Sequence, residues 1–114
     1  MPYISTKVNM PISKQQQTQL KESFGRAIEI LPGKSENWLM LSFEENCHLY
    51  FKGDDSQKLA FLEVKLFGGA SSQAYEAMTK ELTDILHRVL DIPAANIYIK
   101  YEETKYWGWN GSNL

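Results

Sequence analysis

The sequence predicts an α/β (α+β) domain. Duplicated β-α-β units would build a four-stranded, mainly parallel core sheet with two helices on one face and short edge strands. Three observations carry that expectation. Runs that suit half-buried strands flank two long stretches of helical period. Proline and glycine breakers punctuate both halves in the same order. The length, 114 residues, suits one domain (1–114) rather than two.

The first unit spans about residues 3–45. A β-like run from Tyr3 to Val8 meets a break at Pro11, and a helical stretch follows from about Ser13 to Leu31. Ser13 can cap that helix, with Gln16 placed to close a capping box. Leu20, Phe24, Ala27, Ile28 and Leu31 then make one apolar stripe, which reads as core. Leu31-Pro32-Gly33 stops the helix, and a second β-like run, Trp38 to Phe43, ends at Glu44-Glu45. The second unit, about residues 59–103, repeats the order. A β-like run from Leu59 to Phe67 breaks at Gly68-Gly69, and a helical stretch covers about Ser72 to Leu90. Its stripe is Ala74, Met78, Leu82, Ile85 and Val89, widened by Leu86. Ile92-Pro93-Ala94 follows, then a β-like run from Ile97 to Tyr101 and the acidic pair Glu102-Glu103.

With both helices on one face, the other face of the sheet lacks a layer. It is not uniformly polar, because Tyr3, Phe61 and Phe67 alternate with Ser5, Lys7, Glu63 and Lys65. Parallel strands are rarely left open to water, so a second subunit is expected to cover this face. The tail Tyr106-Trp107-Gly108-Trp109-Asn110 reads equally as a core strand or as an aromatic strand that pairs with a neighbour.

Composition narrows the function classes. Net charge is -2, which disfavours nucleic acid as a partner. The sequence lacks a long apolar run and the basic and apolar regions of a signal peptide, so no membrane association and a cytoplasmic location are expected. Secretion without a signal peptide stays open. Cys47 is the only cysteine, which leaves no intrachain disulfide and no cysteine-rich zinc site.

Several chemistries find no support. Gly68-Gly69 alone does not make a phosphate loop. His48 and His87 have no metal-ligand spacing, and Cys47 has no nearby histidine motif. Asp54-Asp55 and Glu102-Glu103 read as solvated loop charges. Pro2 stands apart once Met1 is removed, as small second residues usually permit. Its nitrogen then becomes a secondary amine at a chain terminus. An α-amino group titrates near ~8, and a dry pocket or a nearby cation frees it as a base at neutral pH. While Met1 is attached, that nitrogen is a tertiary amide with no basic lone pair. Taken alone, a proline in position two carries no argument.

The combination carries more. Met1-Pro2 opens the chain, Gly33-Lys34 follows the first helix and Gly68-Gly69-Ala70 precedes the second. Ile97-Tyr98-Ile99 stands near the end, and Gly108-Trp109-Asn110-Gly111-Ser112 makes the tail. Together they resemble the macrophage migration inhibitory factor and D-dopachrome tautomerase family, part of the N-terminal-proline tautomerase superfamily. The likeness runs from Met1 to Leu114, most specifically at the proline and the tail. It implies the tautomerase fold and a homotrimer with sites at subunit interfaces. It also implies keto–enol tautomerisation of phenylpyruvate or hydroxyphenylpyruvate, small 2-keto acids, with no cofactor and no metal. In that likeness Pro2 matches the catalytic base and Lys34 a lysine that binds the substrate carboxylate. Val64 matches a branched apolar pocket residue, Tyr98 a tyrosine from the adjacent subunit and Trp109 an aromatic wall. Leu114 stands near the family's terminal apolar residue.

The sequence also departs from the family. Ser56-Gln57-Lys58-Leu59 stands where mammalian members have a Cys-x-x-Cys pair, so a thiol–disulfide role is not supported. Lys100 replaces a pocket asparagine, Trp107 replaces a small apolar residue, and the loop before Trp107 is shorter. Lys100 is expected to add a second cation beside Lys34 for an anionic substrate. Two further readings stand beside the phenylpyruvate-type tautomerase. One is a cytokine-like binding protein with an incidental pocket, although no receptor motif is legible. The other is an N-terminal-proline tautomerase acting on unsaturated diacids.

Overall fold

Ile4, Thr6 and Val8 alternate with Tyr3, Ser5 and Lys7, and a run of that period buries one face as a strand. In the computed structural model, which describes residues 1–114, this run is β1, Pro2–Val8. Then come α1 (Lys14–Ala27), β2 (Met40–Glu44), β3 (Ala60–Phe67), α2 (Ser72–Leu90) and β4 (Ile97–Thr104). Two short strands, β5 (Gly108–Trp109) and β6 (Ser112–Asn113), close the chain.

The four-stranded sheet has the order β2-β1-β3-β4. β1 runs parallel to β2 and β3 parallel to β4, as each β-α-β crossover requires. The two units meet through an antiparallel seam between β1 and β3, from Pro2 opposite Leu66 to Val8 opposite Ala60. That seam decides where the start of the chain lies. Pro2 sits at the end of β3, one residue from the glycine loop.

Both helices pack on one face. Ile4, Val8, Leu62, Val64 and Leu66 from the sheet form a single buried cluster with Leu20 and Phe24 of α1 and Met78, Leu82, Ile85 and Leu86 of α2. Leu82 is wholly buried there. Leu82→Ala should therefore cost about 2–5 kcal/mol, through lost burial and the cavity left behind. A fall in the urea midpoint at fixed protein concentration will measure it.

The capping box forms as expected, with Ser13 accepting from the Gln16 N–H at 3.1 Å and the Gln16 side chain accepting from the Ser13 N–H at 2.9 Å. The helix does not continue to Leu31. It tightens into a 3-10 turn at Ile28–Ile30, because Pro32 drives the residue before it out of the helical region, and Leu31 is extended. Trp38 does not start a strand either. It closes a second 3-10 turn, Glu36–Trp38, and β2 begins at Met40. Ser71 caps α2, through the Ala74 N–H at 3.1 Å. That helix ends at a left-handed Asp91, before Pro93 is reached. Glu102 and Glu103 are not loop charges, since both lie within β4.

Register places Tyr3, Ser5 and Lys7 of β1 beside Lys65, Glu63 and Phe61 of β3, and these beside Glu102, Lys100 and Tyr98 of β4. This is the face without helices. The tail adds no strand to that sheet, because β5 and β6 pair only with each other. No helix is long and apolar enough to cross a membrane.

Candidate active site

An open cavity of about 660 Å³ lies at the start of β1. Met1, Pro2 and Tyr3 form one side, and Lys65 adds a cation from β3. Asn37, Trp38, Leu39 and Met40, from the 3-10 turn and the start of β2, form a second side. Tyr106, Trp107, Gly108 and Trp109 form the third.

The tail is aimed by its turn. Asn110 and Gly111 both take positive φ, at 54° and 84°. Two consecutive left-handed residues match the twist of a two-residue hairpin, and Asn-Gly is the pair that accepts them most easily. Gly108 thereby pairs with Asn113, and Trp109 with Ser112. The Trp109 ring meets Trp38 edge to face, with centroids 5.1 Å apart and planes at 88°. A pair of this geometry is favoured by the ring quadrupoles.

Lys34 does not line the cavity but stands behind the start of the chain. Its Nζ donates to the Phe67 carbonyl at 3.2 Å, while the Phe67 N–H donates to the Met1 carbonyl at 3.2 Å. One residue of β3 thus anchors both the first peptide group and the lysine. The Met1 α-amino group is held below its ordinary value, first by burial and then by the positive charge of Lys34.

The sequence-derived candidates separate in space. Pro2, Trp107 and Trp109 share the cavity, and Lys34 stands beside the chain start. Val64 does not enter the cavity. It is fully buried in the core with Leu62 and Leu66, because alternation turns it toward the helices. Its neighbour Lys65 faces the cavity instead. Lys100 does not reach the site either. It lies opposite Glu63, with its ammonium 2.8 Å from a Glu102 carboxylate oxygen. Tyr98 lies opposite Phe61, five residues along β3 from the partner of Pro2, or roughly 16 Å at ~3.3 Å per residue. It packs against Phe51 at 5.2 Å in a separate apolar hollow. Leu114 is half-exposed, and its N–H donates to the Trp107 carbonyl at 3.0 Å.

The whole chain, residues 1–114, matches the family described as macrophage migration inhibitory factor (MIF). The chain belongs to the MIF family. No match emerges among curated protein sequences. Among solved structures, MIF2 of Leishmania major is 28% identical, with 100% of this chain and 97% of that one covered and a TM-score of 0.92. A MIF homologue from Prochlorococcus marinus is 27% identical, with 97% of each chain covered and a TM-score of 0.87. A third structure, of a protein inactivated by 2-oxo-3-pentynoate, shares the fold at 16% identity, with 90% and 85% covered and a TM-score of 0.76.

Sequence reasoning about this MIF-family chain missed Trp38, Met40 and Lys65. Trp38 and Met40 read as part of one strand, and only the 3-10 turn brings them to the cavity. Lys65 read as a polar member of the open face. The register of Tyr3 opposite Lys65 could have flagged it, had the antiparallel seam been legible. No group of three or more His, Cys, Asp or Glu side chains converges on a metal-binding arrangement.

Proposed function

We propose that the chain, once Met1 has been removed, is a cofactor-independent keto–enol tautomerase acting on phenylpyruvate-type 2-keto acids. One observation carries this reading. The peptide nitrogen that excision would free lies at an aromatic-walled cavity, with Lys34 beside it. Burial and Lys34 already depress the amine at this end of the chain, and the same influences would favour a neutral Pro2 amine.

The chemistry then follows. The Pro2 lone pair takes a proton from the carbon next to the keto group. The C–H electrons form the carbon–carbon double bond, and the keto oxygen gains a proton from water to give the enol. In the reverse direction the protonated amine returns its proton to carbon, and the enol hydroxyl loses one to water. Lys34 would hold the carboxylate, and Trp38, Trp107 and Trp109 would exclude water from around the ring of the substrate. The assay is ketonisation of aryl and alkyl 2-keto acids against unsaturated diacids, using protein whose mass shows it to begin at Pro2. Turnover of diacids alone would replace the substrate class. Inactivity on the whole panel would leave the cytokine-like binding protein as the reading.

The active assembly is a homotrimer in this proposal. Tyr3, Phe61, Phe67 and Tyr98 stand on the face without helices, and Tyr98 is too far from Pro2 of its own chain to serve the same site. Light scattering at micromolar concentration is expected to report three subunits. A stable, active monomer would remove both the assembly and the contribution of Tyr98 from a neighbour.

A further inference from the structure

Behind the cavity, the loop Gly68–Ala70 joins β3 to α2, and every residue of it is held. Gly68 donates its N–H to the Thr104 carbonyl at 3.1 Å. Gly69 packs directly on Glu103, and a Cβ at that position would overlap the carboxylate. Ala70 donates its N–H to the Tyr75 hydroxyl at 3.1 Å, and that hydroxyl donates in turn to the Glu103 carboxylate at 2.5 Å. Tyr75 is itself held from below. The Tyr101 hydroxyl donates to the Tyr75 carbonyl at 3.1 Å, and the two rings lie 4.6 Å apart. Since a hydroxyl has one proton, Thr79 must be the donor in its 2.8 Å contact with Tyr101. Burial and Glu103 push Tyr75 up to about 12, so it remains a donor across the working pH range.

The residue immediately before this loop is Phe67, whose two peptide groups anchor Met1 and Lys34. We propose that Tyr75 and Glu103 are positioning residues: they clamp the glycine loop and so set where Phe67 presents Lys34 and the start of the chain. Neither side chain lines the cavity, and both act through the backbone. The kinetic part rests on the tautomerase reading, whereas the clamp itself does not.

Tyr75→Phe keeps the ring on Tyr101 and removes only the hydroxyl. In the Met1-retaining chain, where the Met1 carbonyl accepts from Phe67, amide hydrogen exchange at Phe67 and Ala70 is expected to accelerate, while exchange at Ile4 and Leu62 stays as in the wild type. In the Met1-retaining chain, the α-amino group is expected to titrate closer to its ordinary value. In processed protein, KM for phenylpyruvate should rise about three- to tenfold with a smaller change in kcat, since a displaced Lys34 weakens ground and transition state alike. Glu103→Ala should act in the same direction. Glu103→Gln, whose amide oxygen can accept from Tyr75, should restore exchange and KM. The double variant Tyr75→Phe/Glu103→Ala should be no worse than the stronger single change. Unchanged protection at Phe67 in Tyr75→Phe overturns the clamp. Lost protection with an unaltered α-amino titration and unaltered KM overturns the positioning role. If processed wild-type protein turns over no keto acid, the tautomerase reading fails, and exchange and titration still decide this one.

Discussion

Protein that begins at Pro2 is expected to tautomerise phenylpyruvate, and protein that keeps Met1 is expected not to. The difference is one of bonding. With Met1 attached, the Pro2 nitrogen belongs to an amide whose carbonyl is hydrogen-bonded to Phe67, and its lone pair is delocalised into that carbonyl. Excision leaves a secondary amine in the same buried place. General bases contribute about 10²–10⁴-fold, so the two forms should differ by at least that much. Intact-mass measurement must first separate them. Insertion of Ala between Met1 and Pro2 should likewise abolish activity while leaving the assembly unchanged. A chemical probe gives the same answer without turnover. 2-Oxo-3-pentynoate carries an alkyne conjugated to a ketone, which an unprotonated amine attacks. The adduct is expected on the Pro2 nitrogen of the processed form, whereas in the Met1-retaining form fragmentation should place any adduct on the Met1 α-amino group and none on Pro2. Equal activity of the two forms would sink the assignment of Pro2 as the base.

Lys34→Ala should have the next largest effect. A charge-assisted hydrogen bond contributes about 1.5–3 kcal/mol, so its loss should lower kcat/KM for phenylpyruvate by roughly 10–100-fold, mainly through KM. The pH profile supplies a second readout. The positive charge of Lys34 is one of the two causes that depress the amine at this end of the chain, the other and larger being burial. Removing the charge lets the amine hold its proton to higher pH. The acidic limb of kcat/KM should therefore move upward in pH in Lys34→Ala. A KM effect with no movement of that limb would leave Lys34 a carboxylate anchor that does not tune the base. Lys100→Ala is the comparison, because its ammonium pairs with Glu102 and does not line the cavity of its own chain. It should change KM little.

How far these residues were legible depended on the range of the interaction that places them. Helix starts, the capping box at Ser13 and Gln16 and the apolar stripes follow from neighbours a few positions apart, so periodicity and capping chemistry were enough. The same holds for the β-α-β order, whose parallel pairs need only the crossover helices. The end of α2 at Leu90 was read as it stands, whereas α1 was read too long, because its last residues keep the apolar stripe while tightening into the 3-10 turn Ile28–Ile30.

Tertiary structure decided the rest. Whether the two units join by a parallel or an antiparallel seam is not written in either unit, since both are complete before they meet. That seam puts Pro2 opposite Leu66, turns Val64 into the core and leaves Lys65 at the cavity. A shift of one residue in a strand exchanges the two faces, so a residue-by-residue likeness could name the right neighbourhood and still choose the wrong side chain. Trp38 and Trp109 stand far apart in sequence, and only the folded tail brings them to 5.1 Å. By itself the sequence determined the main elements and their order, and it singled out Pro2 as the candidate base. The contacts that surround Pro2 were decided by packing between the two halves, because they join residues from different strands and the tail, and no local pattern records such a meeting.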